Sequence, residues 1–194
     1  MTRVALFGGS FNPPHVAHQL VALYVLETQP VDEIWFTPVW AHVFGKDLAS
    51  FEDRVAMCEL AAAPLGPRAT VSRAEETLAQ QPGFQGSRTL DLLEMLGETH
   101  PDHQFRLVVG TDILGEKHQW HRWDDVVARA PLIVIGRAGH LPAGSIATGV
   151  TMPEVSSTEV RGLLRNDADG QLPSLLPASV MRYIAGRGLY RAEA

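Results

Sequence analysis

Short apolar runs alternate along this chain with longer stretches in which apolar residues recur every three or four positions. Residues 3–7 (RVALF) form a run suited to a strand buried on both faces. From about residue 14 to residue 27, Val16, Leu20, Leu23 and Tyr24 fall at helical spacing. Residues 33–37 (EIWFT) predict a second strand, and residues 51–63 an amphipathic helix stopped by Pro64. A third strand is expected at 69–73, then a helix at 87–99 striped by Leu90, Leu93 and Leu96. Residues 105–109 (FRLVV) and 132–135 (LIVI) predict a fourth and a fifth strand, with two short helices between them. A last helix is expected at about 177–185, closed by GRGLY.

Strands alternating with helices predict an α/β fold. The expected form is a Rossmann-like, doubly wound parallel sheet in three layers (α/β/α), with a small C-terminal helical segment from about residue 156 to residue 194. Right-handed crossovers put the C-terminal ends of all strands along one edge, where such sheets bind ligands. No internal repeat, low-complexity tract or linker interrupts the pattern, so residues 1–194 read as a single domain.

Composition narrows the choices only slightly. With 45% hydrophobic and 20% charged residues, the chain can bury a core. A formal net charge of −6 gives no general attraction to nucleic acid or to an anionic membrane. An anionic substrate must therefore be met by a local cluster of positive charge. One cysteine, Cys58, rules out a disulfide within the chain and favours a reducing, cytoplasmic setting. Its apolar helical neighbours read as core rather than as the surroundings of a nucleophile. The apolar run near Met1 is too short for a signal peptide, and no stretch reaches transmembrane length.

Three stretches carry candidate chemistry. The first is FGGSFNPPHVAH, residues 7–18. Gly8 and Gly9 sit where a strand meets its helix, so backbone amides can approach a ligand unobstructed. Asn12 is expected to cap that helix, with Pro13 or Pro14 in its first turn. His15 and His18, three residues apart, then share one face and suit an anion. A tight turn with two exposed histidines, or half of a metal site, fits the same letters, although no Cys or carboxylate cluster adjoins. Neither GxGxxG nor the P-loop pattern is present.

The second stretch is SSTEVR, residues 156–161. Ser156 and Glu159 fit a capping box, which leaves the Ser157 and Thr158 hydroxyls and the Arg161 guanidinium for a polyphosphate. A plain helix cap is the competing reading. The third stretch is VVGTDILGEKHQWHRWDD. It puts Asp112 beyond a strand end, within reach of ribose hydroxyls, and offers Trp120 and Trp123 as candidate stacking rings. Their spacing also fits core packing, so one of the two is expected to be structural.

Together and in this order, these stretches resemble the nicotinate/nicotinamide mononucleotide adenylyltransferases of the HxGH nucleotidyltransferase superfamily. GGSFNPPHVAH is similar to the family's N-terminal signature, G-G-[ST]-F-[DN]-P-x-H-x-G-H. DEIWFTP, SRTLDLL, VVGTD, WHRWDD, SSTEVR and LPASVMRYIAGRGLY resemble later blocks, so the likeness covers nearly the whole chain. It implies transfer of AMP from ATP to nicotinate mononucleotide, with nicotinamide mononucleotide as the rival acceptor, giving a dinucleotide and pyrophosphate in NAD biosynthesis. It further implies that His15, His18 and Arg161 act in catalysis. ATP would be held by Gly8, Gly9, Ser10, Phe11, His18, Gly110, Asp112, Ser157, Thr158 and Arg161. The acceptor would meet Asn12, Lys46, Ser87, Arg88, Thr89 and Trp120. Mg²⁺ would accompany ATP, with no metal held by the protein itself.

The chain departs from the family pattern at four places. Ala17 replaces a usual glycine, and Asn12 stands where aspartate is common. VWAHVFGKDLASFEDR replaces a P-P-H-K segment, with Lys46 as the candidate lysine, and Arg88 takes the place of a tyrosine. The last two bear on the acceptor. Two other readings stand beside this one: a related transferase with another acceptor such as phosphopantetheine, and a non-catalytic nucleotide sensor. Oligomeric state is left open, and neither nucleic acid nor membrane is expected as a partner.

Overall fold

The computed structural model describes residues 1–41, 48–137, 150–153, 155–166 and 172–191. In chain order the elements are β1 (Thr2–Gly9), α1 (Val16–Thr28), β2 (Glu33–Pro38), α2 (Phe51–Ala62), β3 (Ala69–Val71) and α3 (Ala74–Ala79). Then come α4 (Thr89–Thr99), β4 (His103–Gly110), α5 (Thr111–Gly115), α6 (Trp123–Arg129) and β5 (Leu132–Arg137). They end with β6 (Thr151–Met152), α7 (Ser157–Arg165), α8 (Leu172–Leu175) and α9 (Ala178–Arg187).

Every described strand pair is parallel, and the strand order is β3-β2-β1-β4-β5-β6. This is the doubly wound Rossmann order, confirming the expected fold class. Within β1, Val4 and Leu6 face one layer while Ala5 faces the other. Each face is dry, which is why the strand reads as an unbroken apolar run. Ala5, Ile34, Phe36, Val108 and Ile133 share a core with Ala22, Val25 and Leu26 of α1 and with Cys58 of α2. The opposite face packs Val4, Leu6, Leu107 and Val109 on the α4 leucines and on Val126 of α6.

A third cluster joins Ala17, Met57 and Ala61 to Val160, Leu176, Val180 and Ile184, docking the C-terminal helices on α1 and α2. No helix among the described residues is long and apolar enough to cross a membrane.

Several details differ from expectation. On α1 the buried residues are Ala17, Ala22, Val25 and Leu26, whereas Leu20 and Leu23 are 42% and 47% exposed. This helix carries no charge before Glu27, so spacing alone could not tell its inner face from its outer one. The third strand ends at Val71 rather than Arg73, because Ser72 already turns toward α3. Neither α3, α8 nor the two-residue β6 was expected, each being too short to show a period.

The order places a switch point between β1 and β4, whose chains leave toward opposite sides. Gly8 and Gly9 end β1 there, and Gly110 ends β4.

Candidate active site

A cleft of about 810 Å³ opens at this switch point, within the size range of small-molecule sites. Gly8, Gly9, Ser10, His15, His18, Ser87, Arg88, Thr89, Gly110, Asp112 and Trp120 all line it. One cavity thus collects the glycine turn, the histidine pair and most of the expected acceptor residues. Phe11, Asn12, Ser157, Thr158 and Arg161 are not part of its lining, and Lys46 lies outside the described residues.

The glycine turn is shaped by what crowds it. A Cβ at Gly8 would meet nothing within 4 Å, so this stretch of backbone borders open space. At Gly9 a Cβ would press on the Phe11 ring at 3.3 Å. Phe11 itself is 1% exposed and packs edge-on against Phe7 and His18, with centroids 5.5 and 5.0 Å away. It belongs to the core that supports the turn. Across the switch point, a Cβ at Gly110 would collide with the Asp112 carboxylate. Only glycine lets that carboxylate fold back over the end of β4.

Helix α1 starts later than expected. Val16 is its first residue, His15 is the N-cap, and both prolines precede it. Asn12 therefore does not cap this helix. The His15 amide donates to His18 Nδ1 at 3.0 Å, and the His18 amide donates to the His15 carbonyl at 2.9 Å. Because His18 Nδ1 accepts, its ring proton resides on Nε2, which can donate to a ligand. The two rings lie 3.8 Å apart with planes tilted by 32°, so one cap holds both imidazoles at the cleft.

In SSTEVR the cap is where it was expected, but Ser157, Thr158 and Arg161, expected to meet a polyphosphate, are hydrogen-bonded within the protein. Ser156 caps α7 by accepting from the Glu159 amide at 3.1 Å. Ser157 Oγ donates to the Pro13 carbonyl at 2.9 Å, and Arg161 Nη1 donates to the Asn12 carbonyl at 2.7 Å. Arg161 Nη2 also donates to Thr158 Oγ1 at 3.2 Å. This segment is thus tied to the histidine-bearing turn, behind the cleft lining. Asn12 is 1% exposed, and its Oδ1 accepts from the Tyr190 hydroxyl at 2.7 Å and from the Ala49 amide at 3.0 Å.

At the other end, Trp120 lines the cleft, and Trp123 meets it edge-on with centroids 5.3 Å apart. Trp123 is not part of the lining, and Trp120, besides lining the cleft, packs on the core that holds the α4 leucines and Val126. Arg88 sits at the N-cap of α4, with Nη2 donating to Gln85 Oε1 at 3.3 Å.

Two buried charges here were missed from sequence. Arg54, 1% exposed, donates to the carbonyls of Ala49, Ser10 and Trp40 at 3.1, 3.1 and 3.3 Å. Glu75, 4% exposed, lines the cleft and accepts from the Trp40 amide at 3.4 Å. Burial pushes the Glu75 carboxyl up, against the lowering effects of the Ser87 hydroxyl, the Trp40 amide and the Arg54 charge. The Ser50–Asp53 cap, S-x-x-D just before Arg54, was a legible cue that this segment is ordered. Glu75 left no cue, since its helix has only six residues. Cys58 is buried, and its thiol is pushed up by burial, which disfavours the nucleophilic thiolate.

A parallel sheet in this order, with glycine and histidine at the switch point, puts a ligand cleft where such folds bind small molecules. The cytidylyltransferase-like family model matches residues 6–163. More narrowly, the chain belongs to the nicotinate-nucleotide adenylyltransferase family. It is 48% identical over 188 residues to a relative from Anaeromyxobacter sp. (strain K), covering 97% of this chain and 96% of that one. It is 42% identical over 189 residues to a relative from Myxococcus xanthus (strain DK1622), covering 97% and 94%. Both relatives bear the name "Probable nicotinate-nucleotide adenylyltransferase". In fold the chain is similar to Plasmodium falciparum nicotinic acid mononucleotide adenylyltransferase complexed with NaAD. That match has a TM-score of 0.82 at 21% identity, covering 98% of each chain. The same enzyme complexed with APC matches at a TM-score of 0.80 and 20% identity, again over 98% of each chain.

Proposed function

We propose that this chain, acting as one domain over residues 1–194, transfers the adenylyl group of ATP to nicotinate mononucleotide. An oxygen of the acceptor phosphate attacks the α-phosphorus. As that bond forms, the bond from the α-phosphorus to the bridging oxygen breaks, and its electrons leave with pyrophosphate. The products are the dinucleotide and pyrophosphate. The observation that carries this reading is a single cleft holding the capped histidine pair, Arg88 and Trp120 together.

No covalent intermediate is required, and the site acts by alignment and by electrostatics. The Gly8 and Gly9 backbone lets the phosphates approach closely. His18 Nε2–H and His15 stabilise charge that develops on the phosphoryl oxygens, while Arg161, through Asn12, braces their turn and extends positive charge toward the phosphates. Asp112 suits a ribose, and Trp120 suits the flat pyridine ring, with Ser87, Arg88 and Thr89 around its substituent. Mg²⁺ fits as the companion of ATP. Phosphate and water oxygens would be ligands of the type Mg²⁺ prefers. When bound, it neutralises phosphate charge. The setting we infer for this reaction is the cytoplasm.

The test is pyrophosphate release from ATP with nicotinate mononucleotide, nicotinamide mononucleotide and phosphopantetheine offered in turn. Release with nicotinate mononucleotide in preference to the others supports the reading. Preference for phosphopantetheine would make the chain a related transferase, and ATP binding without release would make it a sensor.

A further inference from the structure

We propose that Tyr190 is a positioning residue for the transfer reaction, its hydroxyl acting through Asn12 to set the turn that presents His15 and His18. The contact links two segments 178 positions apart in the chain. Tyr190 Oη donates to Asn12 Oδ1 at 2.7 Å, and the same oxygen accepts the Ala49 amide at 3.0 Å. The Asn12 carbonyl receives Arg161 Nη1 at 2.7 Å, and the next carbonyl, of Pro13, receives Ser157 Oγ at 2.9 Å. Residues from α7, from just before α2 and from beyond α9 therefore converge on one dipeptide, just ahead of the His15 cap.

The backbone gives independent support. Phe11 has φ 45° and Tyr190 has φ 63°, both in the left-handed region that residues with a Cβ avoid. Among the described residues, Arg122 is the other non-glycine case. One of these uncommon conformations thus lies at Tyr190, the donor of the hydrogen bond, and another at Phe11, next to its acceptor Asn12. Such conformations persist where the surroundings over-determine them, which they do at functional sites. Phe11 carries the effect onward, since its ring packs on His18 at 5.0 Å. Burial pushes the Tyr190 phenol up, so it stays a donor at neutral pH.

Tyr190→Phe keeps the ring and removes only the hydroxyl. Steady-state kinetics should show kcat reduced about ten-fold, with KM for ATP and for nicotinate mononucleotide within about two-fold of wild type. In an Asn12→Ala background the same change should cost less than about two-fold more, because the hydroxyl has lost the group it acts through. Unchanged kcat with a lowered melting temperature would make Tyr190 a packing residue and overturn the inference. Fully multiplicative losses in the double variant would overturn it as well. The kinetic arm rests on the adenylyl-transfer reading, whose own failure would appear as a wild-type enzyme without turnover. Amide hydrogen exchange needs no substrate: Tyr190→Phe should speed exchange at the His15 amide about ten-fold or more, and an unchanged rate refutes the link.

Discussion

His18 has two separable jobs, and each can be removed while the other is kept. Its Nδ1 accepts the His15 amide at 3.0 Å and so caps α1, while its Nε2–H is the donor assigned to the phosphates. Asparagine places an oxygen near the position of Nδ1 but has nothing at Nε2. His18→Asn should therefore keep the cap and lose the donor. One positioned donor to a developing oxyanion contributes about 2.7–4 kcal/mol, so kcat should fall roughly 10²–10³-fold. Glutamine reaches Nε2 with its own N–H but does not place an acceptor at Nδ1. His18→Gln should lose about 1 kcal/mol of capping, which lowers the melting temperature by about 2–4 °C in a chain of this size. Its kcat should remain closer to wild type than that of the asparagine variant. The assay is pyrophosphate release at saturating ATP and acceptor, paired with thermal unfolding of the same preparations. If His18→Asn retains kcat within about ten-fold of wild type, the imidazole is only a cap and the charge-stabilising role is wrong.

Three further outcomes concern Trp120, Arg88 and Glu75 in the cleft lining. Trp120→Ala should weaken nicotinate mononucleotide by roughly 1–3 kcal/mol while leaving ATP affinity nearly intact, as calorimetry of each ligand would show; the reverse pattern would move the pyridine site elsewhere. Arg88→Gln should narrow the preference for nicotinate over nicotinamide mononucleotide by about ten-fold or more, equivalent to about 1.4 kcal/mol, because a guanidinium favours the ring carboxylate. An unchanged ratio of kcat/KM values would leave Arg88 bonded only to Gln85. Glu75 has its carboxyl pushed above its ordinary value of 4.5 by burial, so the folded state holds this proton more tightly than the unfolded chain. Its contribution is fully present below pH 4.5 and is lost as pH rises through the folded value, so Glu75→Gln should flatten the fall in melting temperature above that pH. Equal slopes in the two proteins would refute this.

The sheet was legible because each buried strand is a short apolar run between turn signals, and because α4 displays Leu90, Leu93 and Leu96 against a polar face. Its three-layer form followed from the alternation of elements. What failed was local. Leu20 and Leu23 looked inward on a helix with no polar face to orient it. Asn12 looked like the cap of α1 because asparagine and a following proline are common at helix starts. The cap fell to His15, whose ring is held in a pairing with His18 that no propensity describes.

The site was legible in its lining and illegible in its support. Gly8, His15, His18, Asp112 and Trp120 could be named because each has a chemistry of its own that a ligand would use. Arg54 donates to backbone carbonyls, and Asn12 Oδ1 accepts the Ala49 amide and the Tyr190 hydroxyl, across separations of 44 residues for Arg54 to Ser10 and 178 for Tyr190 to Asn12. No local pattern encodes such contacts, because the partner of a buried polar group is chosen by the fold and not by its neighbours in sequence. The loss of any one of these polar groups would leave its buried partner unsatisfied, at a cost of about 1–3 kcal/mol apiece. On the proposed reading, the histidine pair is therefore placed by residues that lie outside the cleft lining. Substitutions at Asn12 or Arg54 should consequently register in both stability and turnover, whereas substitutions at Trp120 or Arg88 should register mainly in the choice of acceptor.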